Sequence, residues 1–343
     1  MTKTCPCTGK PIGKGTVALA VAGTAALAGA TAAAWEANRI IDKALVCRAV
    51  TDDRAFFESL AASMPGTDGL EFAEARRRAR QKVEELQGEL YTAAQVERVE
   101  IPSATPSQKV VAYIYRPEQP STRWALLAHG YRGDHYEMDG IATYYLRRGF
   151  NVLSCDLRAQ GESDGRYIGL GAVEAADLLL WIDYIRVRFG EACSIVLHGQ
   201  SQGGSCALIA AGAGVPAQVK AVVSDGAYTQ ALALVRTMAF RIKQPGDAVS
   251  VALRVVMRLR SGIDLARADA LAAVRTADTP MLFLHGGADQ WIPSPMAVEL
   301  YTAAAAPVRE LHVVRGAGHS ESFALDPDAY FALVDAFLEK AGL

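Results

Sequence analysis

Nothing in this chain asks for a bound nucleotide. No Gly-x-Gly-x-x-Gly run opens a helix behind a strand, and no Gly-x-x-x-x-Gly-Lys-Ser/Thr loop is present to cradle phosphates. Metal-binding patterns are missing too: no two of the six histidines stand at ligand spacing, and Cys5-Pro6-Cys7 offers two ligands where a site needs more. The sequence therefore predicts neither cofactor nor metal. A basic block is also lacking. Lys and Arg number 35 against 37 Asp and Glu, a net charge of −2, which leaves no electrostatic footprint for nucleic acid. The six cysteines form no disulfide framework: Cys5 and Cys7 precede an apolar stretch, Cys47 follows it, and Cys155, Cys193 and Cys206 fall in or beside core elements, where a free thiol behaves as a small hydrophobe.

What is present is a strand, a sharp turn and a helix around one serine. The apolar run from Cys193 ends at Gly199-Gln-Ser201-Gln-Gly203, and an alanine-rich helical stretch follows from Ser205 to Ala213. Glycines two residues either side of Ser201 allow a tight turn, whose strained apex would lift the serine oxygen into the open. A serine hydroxyl is a poor nucleophile at neutral pH, so this reading needs a base, a group to orient the base, and donors for an oxyanion.

Candidates for each follow. Pro280-Met-Leu-Phe-Leu-His285 reads as a buried strand and places Asp289 on the loop beyond it, at the edge of a parallel sheet where sites assemble. Asp225, after the strand from Val219, is the rival acid; its other role would be to organise the loop beneath the site. Leu311-His-Val-Val314 reads as a last strand, and Gly316-Ala-Gly-His319-Ser places His319 on a glycine-flanked loop able to reach across. His198 and His285 lie at the ends of apolar strands and read as buried and hydrogen-bonded, His312 lies within a strand, and His135 reads as a surface residue. Oxyanion donors should be main-chain N–H groups. Gln202, directly after the serine, supplies one; Tyr131, in the loop His129-Gly130-Tyr131-Arg132-Gly133 after the strand from Trp124, supplies the other, with His129 holding that loop in shape. Asp156 and Arg158 read as an ion pair or turn brace, and Ser163 as a turn residue.

The order serine, acid, histidine and four further motifs carry a family resemblance. Gly149 to Ser163 resembles the strand and loop that precede the nucleophile in α/β hydrolases, where many members read Asp-x-Arg-Gly-His-Gly-x-Ser. Tyr167-Ile-Gly169-Leu-Gly171, Ser224-Asp225-Gly226-Ala-Tyr228-Thr229 and Gly318-His319-Ser-Glu-Ser-Phe323 resemble the membrane-anchored bacterial members related to serine aminopeptidases and cinnamoyl-type esterases. The resemblance covers Val96 to Leu343. It implies an α/β-hydrolase fold, with a mostly parallel central sheet of about eight strands and helices on both faces, and a Ser201–Asp289–His319 triad. Gln202 departs from the Met that many relatives carry. Glutamine there resembles acetyl-ester deacetylases, and the backbone N–H that acts is the same.

The amino terminus carries a second message. Lys3, Lys10 and Lys14 precede Thr16 to Trp35, twenty residues without charge, long enough as a helix to span roughly 30 Å of hydrocarbon. Three readings are open: an uncleaved signal anchor holding the catalytic domain outside the bacterial cytoplasmic membrane, a signal peptide cleaved near Ala32-Ala33-Ala34 to release it, or a soluble alanine-rich helix or disordered tail. The division predicted is a basic and apolar segment over 1–35, a helical linker over 36–95 broken at Pro65 to Gly69, and a catalytic domain over 96–343. Within the last, about 230–277 is a helical insertion expected to form a cap over Ser201. Its apolar residues serve either an apolar substrate or packing. The function expected is a serine hydrolase of carboxylic esters with small or medium hydrophobic acyl or aryl groups. Amide or peptide hydrolysis is the alternative within enzymes, and a silent membrane-tethered binding protein on the same scaffold is the alternative outside them. The sequence leaves the oligomeric state open.

Overall fold

The runs of Val, Ile, Leu and Ala that read as strands pair into a single sheet in the computed structural model, which describes residues 31–46, 81–90, 95–241 and 243–343. The strands are β1 (Gln95–Pro102), β2 (Lys109–Arg116), β3 (Arg123–Ala128), β4 (Asn151–Cys155), β5 (Ser194–Gln200), β6 (Val219–Asp225), β7 (Met281–Gly286) and β8 (Arg309–Val314). Their spatial order is β1-β2-β4-β3-β5-β6-β7-β8. β2 runs antiparallel to β1 and to β4, and every later pairing is parallel. The expected eight-stranded, mostly parallel sheet is the one observed.

The helices are α1 (31–40), α2 (81–90), α3 (Asp139–Arg147), α4 (Glu174–Phe189), α5 (Gln202–Gly212), α6 (Ala231–Arg241), α7 (Gly246–Ser261), α8 (Ala270–Val274), α9 (Pro295–Ala303), α10 (Ser322–Leu325) and α11 (Pro327–Lys340). Successive strand residues point to opposite faces, and the core divides accordingly. Leu126, Leu197, Val222 and Phe283 pack on one face against α4, α5, α8 and α9. Their neighbours Leu127, Val196, Val223 and Leu282 pack on the other against α2, α3 and α11. With both faces covered, β4 and β7 are buried along their whole length, as parallel strands between helical layers are. Cys155, Cys193 and Cys206 are free and lie in the first core.

A third apolar cluster sits over the carboxyl edge of the sheet. Leu253 and Met257 of α7 meet Tyr228 and Ile292 there, together with Ala37, Ile41 and Leu45 from the amino-terminal segment. Pro245, the residue before α7, lies in the break between α6 and α7. α8 leaves this cap and buries Ala270 and Val274 in the core under the sheet. Leu86 and Leu90 of α2 are likewise core residues. Among the described residues no helix is long and apolar enough to cross a membrane. The predicted span over 16–35 falls, up to residue 30, outside the described residues, as do Cys5, Cys7, Cys47 and the break at Pro65 to Gly69.

Two sequence expectations need correction. Asp156 and Arg158 brace turns, but not through each other. Asp156 accepts from the main-chain N–H of His135 at 2.7 Å, from its ring at 2.9 Å and from the N–H of Glu162 at 2.8 Å. Arg158 turns to Asp177 on α4, with bonds of 2.8 and 2.7 Å from Nε and Nη2. His135 is therefore buried rather than on the surface, stacked on Tyr113 with ring centroids 3.8 Å apart. The Arg158–Asp177 side chains are only 5% and 4% exposed. Removing one partner of such a pair strands a charge away from water, so Asp177→Ala should lower stability by about 3–5 kcal/mol. Urea unfolding midpoints check this; a loss below about 1 kcal/mol, the scale of a surface pair, contradicts it.

Candidate active site

β5 ends at Gln200 and α5 begins at Gln202, so Ser201 alone turns the chain. It does so at φ 54° and ψ −115°, a conformation that costs a non-glycine residue roughly 1–3 kcal/mol. The surroundings enforce it: Ser201 N–H donates to the carbonyl of Asp225 at 2.7 Å, and its own carbonyl accepts from Ser205 N–H at 3.1 Å. Neither flanking glycine has room for a side chain. A Cβ on Gly203 would stand 2.1 Å from the Ala128 carbonyl oxygen, and one on Gly199 would stand 2.2 Å from that of Gly203.

The loops beyond β7 and β8 bring Asp289 and His319 to this serine. His319 Nε2 lies 2.9 Å from Ser201 Oγ, and Nδ1 lies 2.7 Å from Asp289 Oδ2. An ionised carboxylate only accepts, so Nδ1 carries the proton, and the Nε2 lone pair faces the serine hydroxyl. Asp289 Oδ1 accepts from the N–H groups of Trp291 and Ile292 at 2.8 and 2.9 Å. Burial pushes the Asp289 carboxyl upward, but the bonds from His285 and His319 and the Ile292 N–H together outweigh it and hold the pKa down at about 2. His285 lies behind, its Nε2 2.8 Å from the Ile292 carbonyl and 3.4 Å from Asp289 Oδ2.

Asp225, the rival acid, is fully buried and accepts from Ser322 Oγ at 2.9 Å. It braces the loop after β8, while Asp289 bonds the histidine. His198 is fully buried between the hydroxyls of Tyr145 and Tyr330, and desolvation lowers its pKa to about 3. His312 is half-buried in β8 beside Glu310, 3.2 Å away. Ser163 accepts from Val111 N–H and donates to the Asp156 carbonyl, a turn residue as read.

Gln202 opens α5, where a first-turn N–H has no partner within its own helix. The loop carrying Tyr131 is fixed by His129, whose Nε2 accepts from Leu157 N–H at 2.9 Å and whose Nδ1 lies 2.7 Å from the Gly130 carbonyl. Tyr131, Ser201 and His319 all line one cavity of about 470 Å³ beneath the cap. Leu234, Val235, Met238 and Leu253 give it apolar walls, so the insertion's apolar residues both pack and face the cavity.

The sequence profile described as alpha/beta hydrolase family matches residues 125–333. The chain belongs to that family. It is 26% identical over 200 residues to the uncharacterized protein YqkD of Bacillus subtilis, a match spanning 57% of this chain and 64% of YqkD, a little under two thirds of that relative's length. It is 27% identical over 225 residues to the uncharacterized protein YfhR of Escherichia coli, spanning 65% of this chain and 68% of YfhR. Among solved structures, the Pyrococcus furiosus esterase Pf2001 superposes with a TM-score of 0.58 at 22% identity, covering 72% of this chain and 93% of that one. Est1E of Butyrivibrio proteoclasticus, solved with ferulic acid bound, gives 0.53 at 19% identity over 71% and 100% of the two chains. The acetyl xylan esterase of Paenibacillus sp. R4 gives 0.53 at 17% identity over 81% and 98%. At these identities the likeness is one of fold.

Three features of this α/β hydrolase's site escaped the sequence. Glu137, in the single turn His135–Met138, accepts from Gly130 N–H at 3.1 Å and lines the cavity; desolvation raises its pKa. No motif marks it. Arg39, Ile40, Ala44 and Leu45 line the same cavity from a stretch read as linker. Finally, the Gln202 side-chain amide is fully buried and finds no hydrogen-bond partner among the described residues.

Two measurements follow from this geometry. The folded state favours ionised Asp289, so the stability it adds is complete above the ordinary carboxylate pKa of about 4 and is lost as pH falls toward about 2. The difference in urea midpoint between parent and Asp289→Asn should accordingly shrink between pH 6 and pH 3; a constant difference contradicts the assignment. An unpaired buried amide costs about 1–3 kcal/mol. Gln202→Met should therefore melt several degrees above the parent, and a lower melting temperature would show that the amide is satisfied.

Proposed function

We propose that this chain is a serine hydrolase that cleaves carboxylic esters of apolar acyl or aryl acids through an acyl-enzyme. The observation that carries the reading is the continuous hydrogen-bonded line from Ser201 Oγ through His319 to Asp289, with bonds of 2.9 and 2.7 Å, at a serine held in a strained turn. In this reading Ser201 Oγ attacks the ester carbonyl as His319 Nε2 takes its proton. Asp289 keeps the ring oriented and stabilises the imidazolium that forms. The tetrahedral oxyanion lies against the N–H groups of Gln202 and Tyr131, each such donor being worth about 10²–10³-fold in rate. His319 then returns the proton to the departing alcohol oxygen. A water, deprotonated by the same nitrogen, attacks the acyl-enzyme and releases the acid.

The names of the solved neighbours support ester rather than amide chemistry: two are called esterases, and a third binds ferulic acid. The apolar cavity walls support an apolar acyl group.

Labelling of the full chain with a fluorophosphonate probe tests the reading, together with hydrolysis of p-nitrophenyl butyrate. The parent should label and turn over, whereas Ser201→Ala and His319→Ala should lose labelling and at least about 10⁴-fold in kcat/KM. A folded parent that neither labels nor hydrolyses overturns the proposal, as does labelling that survives Ser201→Ala. Faster turnover of matched anilides than of esters would replace ester with amide as the substrate class.

A further inference from the structure

One wall of the cavity above Ser201 belongs to neither the sheet nor the cap. Ile40, Ala44 and Leu45 line it together with Leu234, Met238 and Leu253. They stand where α1 widens into a single π turn, Ile41–Leu45, closed by Val46 N–H donating to the Ile41 carbonyl at 2.8 Å. Single π turns interrupt helices most often at functional sites.

A helix end leaves its last carbonyls without partners in the helix, and here the catalytic domain takes those of residues 43–46. The Lys43 carbonyl accepts from Arg132 Nη2 at 2.7 Å, and the Ala44 carbonyl accepts from the Tyr131 hydroxyl. The Leu45 carbonyl accepts from Ile168 N–H at 2.7 Å, and that of Val46 from Arg132 Nη2 at 3.4 Å. Val46 also forms an antiparallel bridge with Tyr167. From the cap side, Arg260 reaches Asp42 at 2.7 Å and Asn38 at 3.2 Å. Ala37 and Ile41 are fully buried. The segment is thus fastened to three separate parts of the domain.

Two of those fastenings come from the loop whose Tyr131 N–H faces the oxyanion in the proposed mechanism. Arg132 has a left-handed backbone, φ 60°, which costs a non-glycine residue free energy unless its surroundings hold it. Its guanidinium is committed to the carbonyls of the segment. Its main-chain N–H donates to Gln160 Oε1 at 2.5 Å, so the domain holds the strained backbone while the side chain ties the loop to the pocket wall.

We infer that residues 38–46 are a specificity-determining part of the site: they complete a pocket for a medium-length apolar acyl chain and hold the oxyanion loop against it. The inference rests on the ester-hydrolase reading for the reaction, though not for the binding. At roughly 30 Å³ for a water-sized group, the cavity of about 470 Å³ has room for about fifteen such groups, enough for an octanoyl chain with its carboxyl group. An acetyl group would leave most of these apolar walls facing water, whereas each methylene placed against them is worth about fourfold in affinity.

Rates on p-nitrophenyl acetate and octanoate test this, with calorimetric titration of sodium octanoate as a readout that does not pass through turnover. Ile40→Ala removes wall. It should lose about tenfold in octanoate affinity and lower the octanoyl-to-acetyl ratio of kcat/KM by about tenfold. Arg260→Ala leaves the cavity lining intact and loosens the segment from outside. It should move the octanoyl-to-acetyl ratio in the same direction by about three- to tenfold, and it guards against an Ile40 variant that folds poorly. If the parent hydrolyses esters and both folded variants keep its chain-length profile, the inference fails. If the parent neither hydrolyses esters nor labels, the ester-hydrolase reading fails by itself, and octanoate binding decides: tenfold weaker binding by Ile40→Ala upholds the wall, and unchanged binding, or none by the parent, overturns it.

Discussion

The turn at Ser201 is the constraint on which the rest of this molecule depends. The residue is held at a positive φ because the strand before it and the helix after it meet with no space between them. The Ala128 and Gly203 carbonyls lie where side chains at 203 and 199 would be. That closeness fixes α5 against β3 and β5, and it sets the height of the serine oxygen above the sheet edge. A looser turn would satisfy the backbone more cheaply and lower the hydroxyl out of reach of His319. The strain is carried by surrounding elements: the Asp225 carbonyl at the end of β6 accepts the serine N–H, so the neighbouring strand is part of the support of Ser201.

Around that turn, buried polar groups are sorted by what satisfies them. Asp289 is ionised because two ring nitrogens and two main-chain N–H groups converge on it. Asp225, whose carbonyl bonds the serine N–H and which is buried more deeply still, has a pKa raised by desolvation that the Ser322 hydroxyl and its other polar neighbours do not offset. Two carboxylates under one histidine thus differ in charge preference by their hydrogen bonds, a separation of environments that assigns different roles to like groups. His198 shows the opposite limit, a histidine so desolvated between two tyrosines that it stays neutral.

The portion of this arrangement legible in the sequence is the portion encoded locally. Strand, turn and helix around Ser201 are contiguous, and the glycines that permit the turn are part of the motif. Asp289 and His319 could be placed because each follows directly on a recognisable strand, and a parallel sheet gathers the ends of its strands at one edge. Arg158 was misread because its partner, Asp177, is nineteen residues away on a helix, and a turn containing Asp156 offers a nearer carboxylate. His135 was read as exposed because its neighbours are polar; Tyr113, the ring it stacks on, comes from a strand on the other side of a loop and another strand. Glu137 has no signal at all, since one acid in a short turn is ordinary until a cavity forms beside it.

The amino-terminal segment was illegible for a different reason. An alanine-rich helix with Ile40, Ile41 and Leu45 on its apolar side reads the same whether that side meets lipid, another helix or a substrate. Periodicity shows that a face is buried and is silent on what buries it. What distinguishes the outcomes is the fate of the carbonyls at the helix end, a matter of tertiary structure. Here Tyr131 and Arg132 take three of them, and both residues belong to the loop beside the serine. A helix wall fixed through the loop that carries Tyr131 cannot shift without that loop responding, so the pocket wall and the loop beside Ser201 form one hydrogen-bonded unit. The physical basis is the scarcity of partners at a buried helix terminus: once the domain supplies them from that loop, wall and loop share a scaffold.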